Sequence, residues 1–271
     1  NPNKSKVFIG HEVMNAAKHL KVICTASTGT VHIDKHSASE KGILILSLTE
    51  QREVIERISS TAEHAFALTL STLRNVHSSH TSVLDGEWDY SRYIGRQMNC
   101  LTVGIVGYGR LGSKYAKYCK AFDSNVLVFD PYKKVDAPGI SQLSSLEDLL
   151  IKSDIVSIHV HVTPETTQMF SDNLFSLMKK DVILINTARG EVLDEDAAVR
   201  FLKKNTEAKY ATDVLADEQR NRRGSPILQF AKKSNQVIIT PHIGGMTREA
   251  QEIAYGHAAQ MLANFWTNQT H

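Results

Sequence analysis

TVGIVGYGRLGSKYAKYCKAFDSNVLVFD, residues Thr102–Asp130, decides the fold. It opens with a run rich in β-branched residues, Thr102–Val106, long enough for one buried strand. Gly107, Gly109 and Gly112 follow at G-x-G-x-x-G spacing, and Arg110–Phe122 reads as a helix with Leu111, Tyr115, Tyr118 and Cys119 on one side. A second apolar run, Val126–Phe129, ends at Asp130, eighteen residues past Gly112. The glycine spacing alone is weak evidence, because 15 glycines are scattered over 271 positions. A strand before it, a helix after it and an acid at the end of the next strand complete the dinucleotide-binding context. Gly107 then serves the tight turn, Gly109 the approach of backbone to a pyrophosphate, and Gly112 the packing of helix on strand. The phosphates are expected at the positive end of the helix. A carboxylate at Asp130 suits the ribose hydroxyls of NAD and repels the 2′-phosphate of NADP.

Outward from that stretch, short apolar runs alternate with helical ones. Ser145–Ile151 reads as a helix, Asp154–Val160 as a strand, Asp172–Met178 as a helix and Val182–Ile185 as a strand. Asp194–Lys203 is a further helix, and Lys209–Thr212 and Gln236–Thr240 close the series. This is the pattern of a doubly wound parallel sheet buried on both faces, an α/β fold. The first sixty residues repeat it on a smaller scale: helix His11–Leu20, strand Val22–Ala26, strand Ile43–Ser47 and helix Glu50–Ile58. Thr61–Asn75 is a strong linking helix with Thr61 as its expected N-cap, and Thr247–Trp266 an amphipathic helix expected to return to the small domain.

Composition excludes several classes. Thirty-one Lys+Arg against 29 Asp+Glu gives +2, too balanced for a nucleic-acid or membrane-surface binder. No apolar run approaches a membrane span. Cys24, Cys100 and Cys119 show no metal or disulfide spacing and read as reduced thiols. The polar start, Asn1–Lys6, has no signal-peptide core, so a soluble protein in the cytoplasm is the expectation.

Two more strand ends carry chemistry. Arg189, in Asn186-Thr-Ala-Arg-Gly190, stands where open α/β sheets place ligands, and its fork matches a carboxylate. The competing reading is a surface arginine capping a strand. His242, in Thr240-Pro-His-Ile-Gly-Gly245, is one of twelve histidines, and its position past an apolar strand suits proton transfer near neutral pH. Glu218 is a candidate to orient it, against the simpler reading of a solvated acid in a charged loop with Asp217, Arg220, Arg222 and Arg223.

Together GYGRLG with its downstream Asp130, INTARG, DVLADE and TPHIGG, in that order, resemble the D-isomer-specific 2-hydroxyacid dehydrogenases of the phosphoglycerate dehydrogenase-like type, over essentially the whole chain. The resemblance implies a Rossmann NAD-binding domain at 61–245. It also implies a discontinuous, flavodoxin-like substrate domain from 1–60 and 246–271, incomplete at its N-terminus because the usual leading strand, helix and strand are missing. It implies an enzyme that moves a hydride between nicotinamide and C2 of a D-2-hydroxy or 2-oxo acid, with no metal. Arg189 would bind and polarise the substrate, His242 act as acid/base, and Glu218 be its partner. Ser27, Thr28 and Gly29 match the loop that holds the substrate carboxylate, with Thr28 near the nicotinamide. Gly107, Gly109, Arg110, Leu111, Gly112, Asp130, Val160, His161, Thr187, Ala188, Asp213, Gly244 and Gly245 would line NAD, Asp213 meeting the carboxamide. His161 stands where the family often has proline, and Gln219 where proline commonly follows the glutamate. The segment His77–Asn99 matches the arm by which the family forms two-fold homodimers, with Trp88 and Tyr90 as anchors; otherwise these aromatics fold back on their own domain. The alternatives on the same fold are an NAD(H)-sensing corepressor-like binding protein, which has no need of Arg189, Glu218 and His242 together, and phosphite or formate oxidation, against which stands the absence of the long insertions associated with formate enzymes.

Overall fold

The computed structural model describes residues 7–30 and 32–268; the polar start Asn1–Lys6 lies outside them. Two compact units emerge, one running to Ser60 and resuming at Gly245, the other spanning Thr61–Gly244.

The first unit begins with α1 (His11–Ala16), β1 (Val22–Thr25), α2 (Lys35–Glu40), β2 (Leu44–Ser47) and α3 (Arg52–Glu56). β1 and β2 pair in parallel, Val22 opposite Leu44. Met14, Ile23, Ile33, Ala38 and Ile43 form its small core. Asp34 caps α2 by accepting from the Ser37 amide.

The second unit opens with α4 (Ser60–Leu73) and α5 (Val76–Leu84), then β3 (Thr102–Val106), α6 (Arg110–Ala121), β4 (Asn125–Phe129), β5 (Ile140–Gln142), α7 (Leu146–Lys152) and β6 (Ile155–Ile158). It continues through α8 (Asp172–Leu177), β7 (Ile183–Asn186), α9 (Glu195–Lys204), β8 (Lys209–Thr212), α10 (Pro226–Ala231) and β9 (Val237–Ile239). Seven parallel strands lie in the order β5-β4-β3-β6-β7-β8-β9. The order reverses between β3 and β6, the position at which such sheets bind ligands. The chain then returns to the first unit as α11 (Arg248–Thr267), capped by Thr247. There the Cys24 thiol donates to the Ala258 carbonyl, and His257 meets Gln51.

The period-two geometry of a strand divides its apolar residues between two cores. Val126 and Val128 of β4, and Ile183 and Ile185 of β7, face the side covered by α4 and α6; Leu127 and Leu184 face α7 to α10. Each fully buried aliphatic or aromatic side chain contributes about 1.5–3 kcal/mol. Side-chain caps start the covering helices: Ser145 on α7, Asp194 on α9 and Ser225 on α10.

Sequence and structure differ at several ends. Thr61 is not an N-cap, since α4 already includes Ser60. The helix expected over His11–Leu20 stops at Ala16, and the one expected over Glu50–Ile58 shortens to Arg52–Glu56, because neither has a long apolar stripe to bury. β5, α2, α5 and α10 were not foreseen; β5 is three residues, Ile-Ser-Gln, too short and polar to show a period.

Phe170 is fully buried in the α7–α10 core. Phe170→Ala is expected to destabilise this unit by about 3–5 kcal/mol, read from urea unfolding.

Candidate active site

The glycine-rich turn is set by close contacts. Gly107 has φ +91°, and a Cβ there would lie 2.7 Å from the His159 carbonyl oxygen and 2.9 Å from Val160 Cγ1. A Cβ on Gly112 would lie 2.1 Å from the Gly107 carbonyl oxygen, so the first turn of α6 packs directly on the loop. At Gly109 a Cβ would meet nothing within 4 Å, and this residue precedes Arg110 and Leu111 at the start of α6. The Asp130 carboxylate locks the turn to the end of β4. It accepts from the Tyr108 amide at 2.8 Å, and from the Tyr132 and Lys133 amides at 2.9 and 3.0 Å. Lys133 Nζ sits over the Tyr108 ring. Beyond Asp130 a hollow is lined by Phe129, Pro131, Gln142, Leu143 and Ser144, the last three unmarked in the sequence because β5 is invisible in it. From the loop after β6, Glu165 accepts a 2.6 Å hydrogen bond from the Tyr132 hydroxyl, and the exposed His161 accepts from Thr166 through its carbonyl.

At the end of β7, the buried Asn186 shapes the turn that carries Thr187, Ala188 and Arg189. Its amide nitrogen donates to the Arg189 carbonyl at 3.0 Å and its oxygen accepts from the Ala188 amide at 3.0 Å. Arg189 Nη1 donates to the Ala188 carbonyl at 2.7 Å, which fixes one edge of its fork. Gly190 lets the loop after β8 lie against this turn: a Cβ there would be 2.0–2.3 Å from Leu215 and Ala216 backbone. Glu195, buried at the start of α9, pins the same loop at two points, accepting from the Ala216 amide at 2.8 Å and the Ser225 hydroxyl at 2.6 Å.

That loop delivers Glu218. Its Oε1 lies 2.5 Å from His242 Nδ1 and its Oε2 accepts from the Leu215 amide at 3.3 Å. A carboxylate only accepts, so the imidazole proton here is on Nδ1. Asp217 and His242 are both left-handed, with φ of 50° and 57°, a conformation costing of order 1–3 kcal/mol at a non-glycine residue and concentrated at functional sites.

Asp213, at the end of β8, is 2% exposed. Its Oδ1 accepts from the Thr240 hydroxyl at 2.5 Å and the Ile243 amide at 2.8 Å, and its Oδ2 from the Gly244 amide at 2.7 Å. Burial alone would raise this carboxyl, but hydrogen bonds from His64, Thr240, Ile243 and Gly244 outweigh it and hold it below the usual range. His64, Asn186, Glu195 and Thr240 are site residues that sequence reasoning missed. His64 and Glu195 carry no local mark, because their partners Thr240 and Ser225 lie far along the chain; Asn186 and Thr240 stand inside INTARG and TPHIGG, where Arg189 and His242 draw the reading.

The structure thus links Arg189, Glu218, His242, Asp213 and Gly244 within one unit. Ser27, Thr28, Gly29 and Gly245 belong to the other unit. There the Ser27 hydroxyl donates to the Gly29 carbonyl at 2.6 Å, and Thr49 donates to the Thr28 carbonyl at 2.8 Å, which fixes that turn. Among the described residues, no group of three His, Cys, Asp or Glu side chains is arranged to hold a metal ion, and no helix is long and apolar enough to cross a membrane.

Residues 66–244 match the family model of the NAD binding domain of D-isomer specific 2-hydroxyacid dehydrogenases, and the chain belongs to that family. The D-3-phosphoglycerate dehydrogenase of Archaeoglobus fulgidus is 36% identical over 251 residues, 92% of this chain and 46% of that protein. The chain spans about half the length, or less, of the curated relatives it matches. Among solved structures, D-lactate dehydrogenase from Aquifex aeolicus complexed with NAD and lactic acid has a TM-score of 0.82 at 33% identity, covering 96% of this chain and 80% of that one. NAD-dependent formate dehydrogenase from Staphylococcus aureus in complex with NAD has a TM-score of 0.84 at 30% identity, covering 96% and 76%.

The residues of the Rossmann unit fit NAD. Gly109 leaves open space where any other residue would carry a side chain, and the buried Thr187 hydroxyl has no hydrogen-bond partner among the described residues.

Asp213→Asn turns an amide against the Gly244 N–H and is expected to destabilise the unit by about 2–3 kcal/mol at pH 7. The folded carboxyl titrates below its unfolded value of about 3.9, so its contribution is full above that pH and is lost as pH falls through the folded value. Urea unfolding of the two proteins from pH 7 downwards should show the gap closing only in strong acid.

Proposed function

We propose that the chain catalyses reversible, NAD-dependent hydride transfer at C2 of a D-2-hydroxy or 2-oxo acid. The observation that carries this reading is the 2.5 Å pair of Glu218 and His242, built on a loop that packs against the Arg189 turn. The glycine-rich turn and the Thr187–Arg189 turn would hold NAD(H), whose nicotinamide would supply or accept the hydride.

Arg189 binds the substrate carboxylate and polarises its carbonyl, using fork edges other than the one engaged with Ala188. Glu218 holds the His242 proton on Nδ1, which makes Nε2 the nitrogen that exchanges a proton with the substrate oxygen. The carboxylate also stabilises the imidazolium present before a 2-oxo acid is reduced. Arginine and imidazolium together balance the negative charge that develops on that oxygen. Asp130 holds the adenosine ribose, and its charge favours NAD over NADP. Ser27, Thr28 and Gly29, in the turn tied to Thr49, receive the substrate carboxylate from the smaller unit, which serves as the substrate domain. Val160, His161, Ala188 and Gly245 complete the cofactor wall.

The family membership, and relatives named for D-3-phosphoglycerate and D-lactate, support a small 2-hydroxy acid. An NADH assay over pyruvate, hydroxypyruvate and its 3-phosphate tests the reading and selects among acids; no turnover of any would overturn it. His242→Ala is expected to lower kcat by about 10²–10⁴-fold while NADH affinity, measured by fluorescence titration, stays nearly unchanged. A comparable loss of NADH binding would contradict the role given to His242.

The same reading includes a homodimer through the arm at His77–Asn99. Trp88 and Tyr90 are 90% and 85% exposed, as partner-seeking anchors would be, and are not folded onto their own unit. Replacing both with alanine removes two anchor side chains, each of a kind worth about 2 kcal/mol or more at an interface. Sedimentation velocity should then show a dimer turned into a monomer.

A further inference from the structure

His64 stands one turn into α4, the helix that opens the Rossmann unit, and no motif includes it. Its Nε2 lies 2.9 Å from Thr240 Oγ1 and 3.4 Å from Asp213 Oδ1. The ring is 18% exposed and the carboxylate 2%. The Thr240 hydroxyl already gives its proton to Asp213, so the hydrogen between His64 and Thr240 comes from the imidazole. His64 therefore donates into the Thr240 oxygen and, at longer range, to the carboxylate. What remains of that carboxylate holds the amides of Ile243 and Gly244, the two residues that follow His242. The His242 amide in turn donates to the Thr240 carbonyl at 3.0 Å. Every hydrogen bond named here bears on the backbone around a residue whose φ is +57°.

The geometry points to His64 as a positioning residue. By orienting the Thr240 hydroxyl and the Asp213 carboxylate, it keeps the backbone of His242 left-handed and its imidazole in line with Glu218 and the substrate. This rests on the acid/base role proposed for His242.

The rotor of the Thr240 hydroxyl is the element His64 controls. With the His64 N–H pointing into Oγ1, the Thr240 proton is directed at Asp213, and both carboxylate oxygens are fixed. Without that donor the hydroxyl is free to turn, and the carboxylate must hold two amides with one restraint fewer. The left-handed residue between them then relaxes towards ordinary φ, which carries the imidazole with it. A displacement of about 1 Å at a catalytic group costs on the order of a hundredfold in rate.

The test compares two substitutions. His64→Phe keeps ring volume and loses the donor; His64→Gln places an amide N–H near the position of Nε2. His64→Phe is expected to lower kcat about ten- to a hundredfold with KM for the 2-oxo acid and NADH affinity little changed, and His64→Gln to recover most of that loss. In the protein without NADH, the Ile243 and Gly244 amides should exchange hydrogen faster in His64→Phe and at the wild-type rate in His64→Gln. Equal activity and exchange in wild type and His64→Phe would overturn the inference and leave the proposed function standing. Equal impairment of both variants would also overturn it, because packing alone would then explain the effect. A wild type that reduces no 2-oxo acid would refute the proposed function and with it the catalytic purpose assigned to His64. If His64→Phe does not fold, Thr240→Val removes the hydroxyl between the two groups and carries the same expectations.

Discussion

A carboxylate with 2% of its surface in contact with solvent has to be answered by donors, and Asp213 is answered from three directions. α4 supplies His64, the end of β9 supplies the Thr240 hydroxyl, and the turn beyond it supplies two amides. Removing a buried charged acceptor from water costs several kcal/mol unless its hydrogen bonds are made. The requirement therefore acts on three separate segments at once. It fixes where α4 starts relative to the sheet, and it bends the chain after β9 into the left-handed turn that carries His242. The Glu218–His242 pair depends on that turn, and the loop delivering Glu218 depends in turn on Gly190 and Glu195. The position of the His242 imidazole is thus inherited from contacts several residues away from it.

The parts of this arrangement that could be read from sequence are those whose physics is local. A Gly-x-Gly-x-x-Gly turn is dictated by φ and by the space beneath two glycines, both properties of adjacent residues, so Gly107, Gly109 and Gly112 fall where the pattern puts them. Continuous apolar runs such as Ile183–Ile185 reveal a strand buried on both faces without any knowledge of its neighbours. Boundaries were harder. Thr61 looked like a cap because it is a threonine at the head of an apolar pattern, while the helix gains its extra residue from the Ser60 backbone. β5 gave no periodic signal, since three residues cannot show one, and it exists because β4 offers an unpaired edge.

The site divides in the same way. Arg189 and His242 stand out through their settings at strand ends and Glu218 through its place in DVLADE, and the structure places Glu218 against His242. Glu195 and His64 did not stand out, because each works through a partner that sequence distance conceals: Glu195 reaches Ser225, and His64 reaches Thr240. Asn186 could have been suspected from one fact, a side-chain amide ending an otherwise apolar strand. His64 offered no such hint among twelve histidines.

Gly244 closes this network and is also where the chain leaves the Rossmann unit, while Thr61 is where it enters. A Cβ on Gly244 would lie 3.2 Å from a Thr61 methyl carbon and 3.6 Å from its Cα, so entry and exit are neighbours. A long insertion with distant ends would hold the two halves of the smaller unit apart and burden their closure with the entropy of a long loop, but once its own sheet has formed this insertion presents its ends side by side, like a short turn. The larger unit can therefore complete its fold first and act as the hairpin that brings α11 back to β1 and β2.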